Sequence, residues 1–193
     1  MFSSTAKPTD QVAAAVANGG ASKDGVRGGG VFRVECYDKD GNLKWTEESH
    51  NLVVNVGLKD MNDKYFSGSG YTAAWYIGLY GAAASNNPAA GDTMSSHAGW
   101  TEVTAYSQAT RPQASFGAAT TADPSVITNS SSVAVFSITG TTTVGGAFLT
   151  SNSTKGGTTG TLFSASDFAS PGDRSVVNGD TLNVTYTFSL DAA

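Results

Sequence analysis

Between Thr181 and Leu190 apolar and polar residues alternate without a break. Leu182, Val184, Tyr186, Phe188 and Leu190 are interleaved with Thr181, Asn183, Thr185, Thr187 and Ser189. Successive side chains of an extended strand point to opposite faces. The pattern therefore places one face in a core and the other towards water or a polar partner. At helical spacing the same residues would scatter around the whole circumference. Asn178-Gly179-Asp180 supplies a turn before the strand. A strand this regular needs hydrogen-bonded neighbours on its edges and a second layer over its apolar face, so the first expectation is a mainly β fold.

Other segments repeat the pattern. Phe32, Val34 and Cys36 alternate with Arg33, Glu35 and Tyr37, and after Asp40-Gly41 the alternation resumes at Leu43 and Trp45. Asp-Gly between two alternating runs predicts a hairpin with a type I′ turn. From Ala73 to Tyr80, Trp75, Ile77 and Leu79 share one face and Tyr76 and Tyr80 the other. A strand apolar on both sides is covered on both sides. Further strands are expected around 100–106 and 113–117, at Val133–Ile138, Val144–Thr150 and Thr161–Ala165. Val133–Ile138 and Val144–Thr150 join near Gly140. One segment changes period: Val54, Leu58, Met61 and Tyr65 recur at helical spacing opposite Lys59, Asp60, Asn62, Asp63 and Lys64. This predicts one short helix over about 56–66, with Asn55 as its N-cap. The sum is an antiparallel β-sandwich or jelly roll of about eight strands with one helix. Residues 1–29, closing in Gly28-Gly29-Gly30, read as a flexible N-terminal arm, and 30–193 as the β-sandwich domain.

Composition narrows the partners. Charged residues are 14% of the chain, where about 25% is usual. The net charge is −5 at pH 7. Without a basic cluster the counterion-release term of nucleic-acid binding is missing, so no direct nucleic-acid partner is expected. No run approaches the roughly 20 apolar residues of a membrane span. Val12–Ala17 lacks the length and basic flank of a secretory signal, so a soluble cytoplasmic product is expected. The single cysteine, Cys36, lies in a strand pattern and is expected to be a buried, inert thiol.

The candidates for chemistry are few. Asp92, His97 and Glu102 can be drawn as metal ligands, and Ser95 or Ser96 with His97 as nucleophile and base. Neither set has a recognised ligand spacing or a nucleophile elbow. Asp92 and Glu102 are the one carboxylate pair worth testing for glycoside hydrolysis. Lys155-Gly156-Gly157-Thr158-Thr159-Gly160-Thr161 has the glycines of a phosphate loop but lacks its Gly-Lys-Ser/Thr ending, and is expected to be a mobile hairpin loop. Asn129, Asn152 and Asn183 begin Asn-x-Ser/Thr triplets without a secretory context. His50 is expected in a capping or turn role. The expectation is therefore no enzyme, with no catalytic, cofactor-binding or metal residues and no cofactor.

Five segments share a further likeness. They are Asn51-Leu52-Val53-Val54-Asn55-Val56-Gly57-Leu58, Trp75-Tyr76-Ile77-Gly78-Leu79, Gly91-Asp92-Thr93-Met94 running into His97-Ala98-Gly99-Trp100-Thr101-Glu102, Phe148–Gly157, and Asn178–Tyr186. As a set, spanning about 50–190, they resemble small virion structural proteins of tailed bacteriophages, of the kind described as capsid cement or decoration proteins. The resemblance implies a non-catalytic protein on the capsid surface of a virion. It would bind the major capsid protein and self-associate as a dimer or trimer. The alternative it leaves is a tail- or fibre-associated adhesion module that binds host surface glycan through Trp100 and Tyr106 presented in loops.

Overall fold

The computed structural model describes residues 25–71, 74–83, 87–168 and 172–192. The alternating segment forms the longest contact in the fold. Strand β12 (Thr181–Ala192) runs antiparallel to β1 (Val26–Tyr37), in register from Val26 opposite Ala192 to Tyr37 opposite Thr181. Its burial alternates as the sequence requires: Leu182, Val184, Tyr186 and Phe188 are buried, while the intervening Thr, Asn and Ser side chains stay partly exposed.

The other edge of β1 carries β2 (Leu43–His50). The β1–β2 hairpin is the expected one, but its turn is not the two-residue type. Gly41 N–H donates to the Asp38 carbonyl, closing a turn around Lys39 and Asp40, and Gly41 follows at φ 84°. The Asp38 carboxylate accepts the Asp40 and Asn42 amides and so selects this longer turn. The other edge of β12 is shared end to end by β6 (Ser125–Thr128) and β7 (Ala134–Ser137). Between them Asn129 fills the gap in the ladder. Its amide oxygen accepts Tyr186 N–H at 2.7 Å and its amide nitrogen donates to Val184 O at 3.3 Å. This is the role of the first of the three Asn triplets.

A second five-stranded antiparallel sheet faces the first. Its order is β3 (Leu52–Val53), β10 (Leu162–Asp167), β9 (Gly146–Thr150), β4 (Tyr76–Tyr80) and β5 (Glu102–Val103). A two-stranded piece, β8 (Thr142–Val144) with β11 (Arg174–Val176), adds Val144 and Val176 to the core. The fold is thus a two-sheet antiparallel sandwich of the expected class, with twelve strands among the described residues rather than about eight. The main core lies between the sheets, where Phe32, Val34 and Phe136 meet Ile77, Leu79 and Leu149. The expected segment 144–150 is two strands, because Gly145 separates β8 from β9, which lie in different sheets. The expected strand at 113–117 is reduced to a single bridge between Gln113 and Tyr76.

The arm expected over 1–29 loses its last residues to the sandwich, since Val26–Gly29 lie in β1. The glycines are there for close approach. A Cβ on Gly30 would stand 2.7 Å from the Tyr186 hydroxyl, and one on Gly28 would stand 3.1 Å from the Phe188 ring. Two rings of β12 therefore lie across β1 where the end of a flexible arm was expected. Residues 1–24 lie outside the described residues.

Helix α1 (Asn55–Tyr65) matches the expected span, but Val54 occupies the cap position and no side chain caps the helix. Asn55 is instead its first residue, and its N–H donates to Ala90 O at 2.8 Å. The helix is also rotated from the face its apolar stripe suggests. Gly57 is the buried helical residue, and a Cβ there would stand 2.3 Å from the Phe163 carbonyl of β10. The bare Gly57 backbone seats the helix on the strand. Met61, one turn on, packs on the core, while Leu58 is 50% and Tyr65 83% exposed.

Gly57→Ala should therefore destabilise the protein. Helix propensity alone would favour Ala by about 1 kcal/mol. Overpacking against β10 costs about 1–3 kcal/mol in addition to cancelling that gain. A lower midpoint in urea unfolding is the expected result, and a raised midpoint would contradict the docking.

Candidate functional site

The second sheet is buried on both faces, and its outer face is closed by the connection from 87 to 103. Trp100 is 4% exposed and packs its ring against Tyr80 at 5.0 Å and Phe148 at 5.2 Å between centroids. Asp92, also buried, accepts Trp100 Nε1–H at 3.0 Å and Ala89 N–H at 3.0 Å. The His97 ring stacks on Trp100 at 3.8 Å, with Nδ1 3.1 Å from Trp100 O. Asp92 and His97 thus hold the covering loop shut over an apolar cluster.

Glu102 belongs to a different assembly. Its two carboxylate oxygens accept Arg111 Nε at 2.9 Å and a terminal guanidinium nitrogen at 2.7 Å. The Arg111 side chain is fully buried and also donates to Asn152 O and Gly157 O, both at 2.8 Å. The Gly156 N–H adds a bond to Glu102 Oε2 at 2.9 Å. Lys155 donates to the carbonyls of Tyr106 and Gln108 and sits over the Tyr106 ring, its nitrogen 4.3 Å from the centroid. The 155–161 segment, expected to be mobile, is therefore tied down at several points. Asn152 fixes its entry by accepting Thr154 N–H and donating to Thr159 Oγ1.

The candidates for chemistry have other partners: the Ser95 hydroxyl lies 3.2 Å from the Thr93 hydroxyl, to which Ser96 N–H donates at 3.0 Å. Asp92 and His97 act on Trp100, whereas Glu102 is engaged by Arg111, so the structure does not bring the three together as one site. Among the described residues no group of three or more His, Cys, Asp and Glu side chains is arranged to hold a metal ion. Trp100 and Tyr106, expected in loops as stacking platforms for sugars, are 4% and 2% exposed. Their rings are spent on internal packing, so neither can meet a glycan. Asn183 lies within β12. His50 ends β2, where its carbonyl accepts the Ser166 hydroxyl at 2.9 Å. Cys36 is buried, and burial, with Asp180 nearby, pushes its thiol up to about 11. Burial likewise raises the phenols of Tyr80, Tyr106 and Tyr186 above their ordinary value.

The open feature lies elsewhere. At one end of the sandwich an apolar groove of about 930 Å³ runs between α1 and the edge of the first sheet. Phe163, Phe188 and Leu190 line it from the sheets, Leu58, Met61 and Tyr65 from the helix, and Phe116 and Ile127 from the far side. Tyr65 and Phe66 stand at its rim, 83% and 79% exposed, their rings edge to face at 4.9 Å. An exposed apolar patch of this kind marks an interaction surface more often than chance exposure. The helical spacing gave α1 an apolar stripe but not the face that docks, and so did not reveal the groove. The signal was Gly57 inside the helix, which alters the face that docks. Arg111 was missed because its partners come from two separate segments, Glu102 of β5 and the carbonyls of Asn152 and Gly157 in one distant loop.

No protein-family model, no curated protein and no solved structure matches this chain. Among the described residues, no helix is long and apolar enough to cross a membrane.

Glu102→Gln should cost about 3–5 kcal/mol, because it leaves the buried Arg111 guanidinium without its counter-charge. Replacing both partners, Arg111→Met with Glu102→Leu, should recover most of that loss. Urea unfolding of the three proteins is the measurement. A Glu102→Gln cost below about 1 kcal/mol would contradict the clamp.

Proposed function

We propose that this protein is a non-catalytic structural component of a tailed-bacteriophage particle. In this reading it is a capsid cement or decoration protein that binds across junctions between major capsid proteins and stabilises the shell. The observation that carries the reading is the division of labour between polar and apolar groups. Asp92, His97, Glu102 and Lys155, the groups with chemical potential, fasten loops to one another, while Tyr65, Phe66 and Leu58 are displayed around an open apolar groove. Such a surface suits association rather than turnover. The resemblance of the five segments supplies the particle.

The mechanism follows from multivalency. Burying each large apolar side chain contributes about 1.5–3 kcal/mol, so a few rim residues give a modest contact. Bridging two capsid subunits, or joining copies as a dimer or trimer, makes the second contact intramolecular and raises avidity by orders of magnitude. Symmetry repeats that gain over the shell. Displayed rim aromatics fit a protein partner, and the rings on which glycan adhesion would have relied are buried.

Purified shells assembled without the protein should rupture at a lower temperature than complete shells, and added protein should restore the difference. A Tyr65→Ser/Phe66→Ser variant, altered only at two exposed side chains, should fold normally and fail to restore it. Shells equally stable with and without the protein would count against a cement role. Full rescue by the variant would remove the groove end as the contact.

A further inference from the structure

A strand at the edge of a sheet presents a row of unpaired N–H and C=O groups, and proteins commonly keep such strands short. Among the described residues the other edge strands are short. β3 and β5 have two residues each, β8 and β11 three, and β6 and β7 four. β2, at the other edge of the first sheet, runs for eight. The ladder decides which of its backbone groups face outward. Gly30 faces β2, since its carbonyl accepts Asn51 N–H at 2.8 Å and its N–H donates to Asn51 Oδ1 at 2.6 Å. Antiparallel pairs alternate between bonded and non-bonded, so Phe32, Val34 and Cys36 bond to Ser49, Glu47 and Trp45. Lys44, Thr46 and Glu48 then turn their N–H and C=O groups away from β1. Among the described residues nothing else pairs with that backbone. The open row ends at His50, whose carbonyl accepts the Ser166 hydroxyl at 2.9 Å.

We infer that two copies of this chain pair β2 with β2, antiparallel about a two-fold axis at Thr46, and so join their first sheets into one continuous sheet. Charge selects both the partner and the register. Centring on Thr46 sets Thr46 opposite Thr46, and Lys44 of each copy opposite Glu48 of the other. These are bonded pairs, so the whole open row of N–H and C=O groups is satisfied. Opposite charges directly across a ladder are favourable, and like charges there are not. Centring on Lys44, Glu47 or Glu48 would set like charges face to face, and centring on Trp45 would leave Glu48 without a counter-charge. Glu48 is exposed and has no ion-pair partner among the described residues. Lys44 gives one N–H to Asp180 at 2.6 Å and has others to give. The buried Glu47 does not oppose the pairing, because Arg174 of its own chain neutralises it. A two-fold contact of this kind makes each interaction twice. The inference does not rest on the groove reading, since no residue of β2 lines the groove. A monomer would remove this pairing and leave shell binding by the groove end standing.

Sedimentation equilibrium of the full chain is the test. The wild type should be a concentration-dependent dimer. Thr46→Pro removes an outward N–H, and Glu48→Lys reverses an exposed charge of the pair. Each should raise the dimer dissociation constant by about tenfold or more, with an unchanged far-UV circular dichroism spectrum. Bismaleimidoethane, a short thiol cross-linker, reads the register. Thr46→Cys should be linked into a covalent dimer, because the Cα atoms of a bonded pair stand about 5.5 Å apart. Glu48→Cys should not, because its two copies would lie about 14 Å apart at ~3.4 Å per residue. A wild type that is monomeric at every concentration, or a trimer, would overturn the inference. So would a dimer that Glu48→Lys leaves unchanged, or one linked through Glu48→Cys and not through Thr46→Cys.

Discussion

The rest of the structure hangs on the pairing of β1 with β12. It joins two distant parts of the chain in one long register, from Val26–Ala192 to Tyr37–Thr181. It is also the central pair of the first sheet, with β2 added outside β1 and β6 and β7 added outside β12. Its inner face supplies Phe32, Val34, Cys36, Val184 and Tyr186 to the core. Asn51 locks the pair to the start of the second sheet. Its side chain accepts Gly30 N–H at 2.6 Å and donates to the Tyr186 hydroxyl at 2.8 Å. The same pairing ends in the groove, since Val26, Gly28, Phe188 and Leu190 belong to its last turns of register.

The second sheet poses a different physical problem. Both of its faces are apolar, so a sandwich partner covers only one. The outer face is closed by irregular chain, and irregular chain carries backbone groups that need partners when buried. Arg111 answers this by giving its buried donors to the Glu102 carboxylate and to two loop carbonyls. A buried ion pair roughly breaks even in stability against an apolar replacement. What this one contributes is position: it fixes the 100–113 and 151–160 connections to each other. Three of the five segments singled out in the sequence contribute to this region, through Gly78 beneath the Phe148 ring, Trp100 with Asp92 and Glu102, and the 152–157 loop. Their distinctive residues encode the closure of a sheet.

How much of this was legible in the sequence depended on whether a signal was local. The β12 alternation, the two-sided apolar β4 and the β1–β2 hairpin are local, and each is where it was expected. Helix α1 was found, but its orientation was not, because the contact of Gly57 with Phe163 is a tertiary one. The Gly28–Gly30 run reads as a linker from either side, and only the rings of Tyr186 and Phe188 reveal why it is bare. Strand β6 escaped because Ser125–Thr128 are all half-buried and show no alternation. Among the site residues, the inert, buried Cys36 was foreseen. The exposure expected of Trp100 and Tyr106 was not found, since large rings in a glycine-rich segment look like a display until the sheet beneath them is known. The groove, which depends on helix, sheet edge and chain entry together, had no signature in any one segment.

The central proposal is that this chain works by association through the groove end, with its polar residues serving as internal fasteners. Hydrogen exchange of the protein, free and added to capsid shells of the proposed kind, tests that proposal most directly. The account predicts added protection on binding at 58–66, at 71 and 74–75, and around 116–127. The 92–102 and 152–160 segments should change little. Protection concentrated on those last two segments, with α1 and its neighbours unchanged, would contradict it.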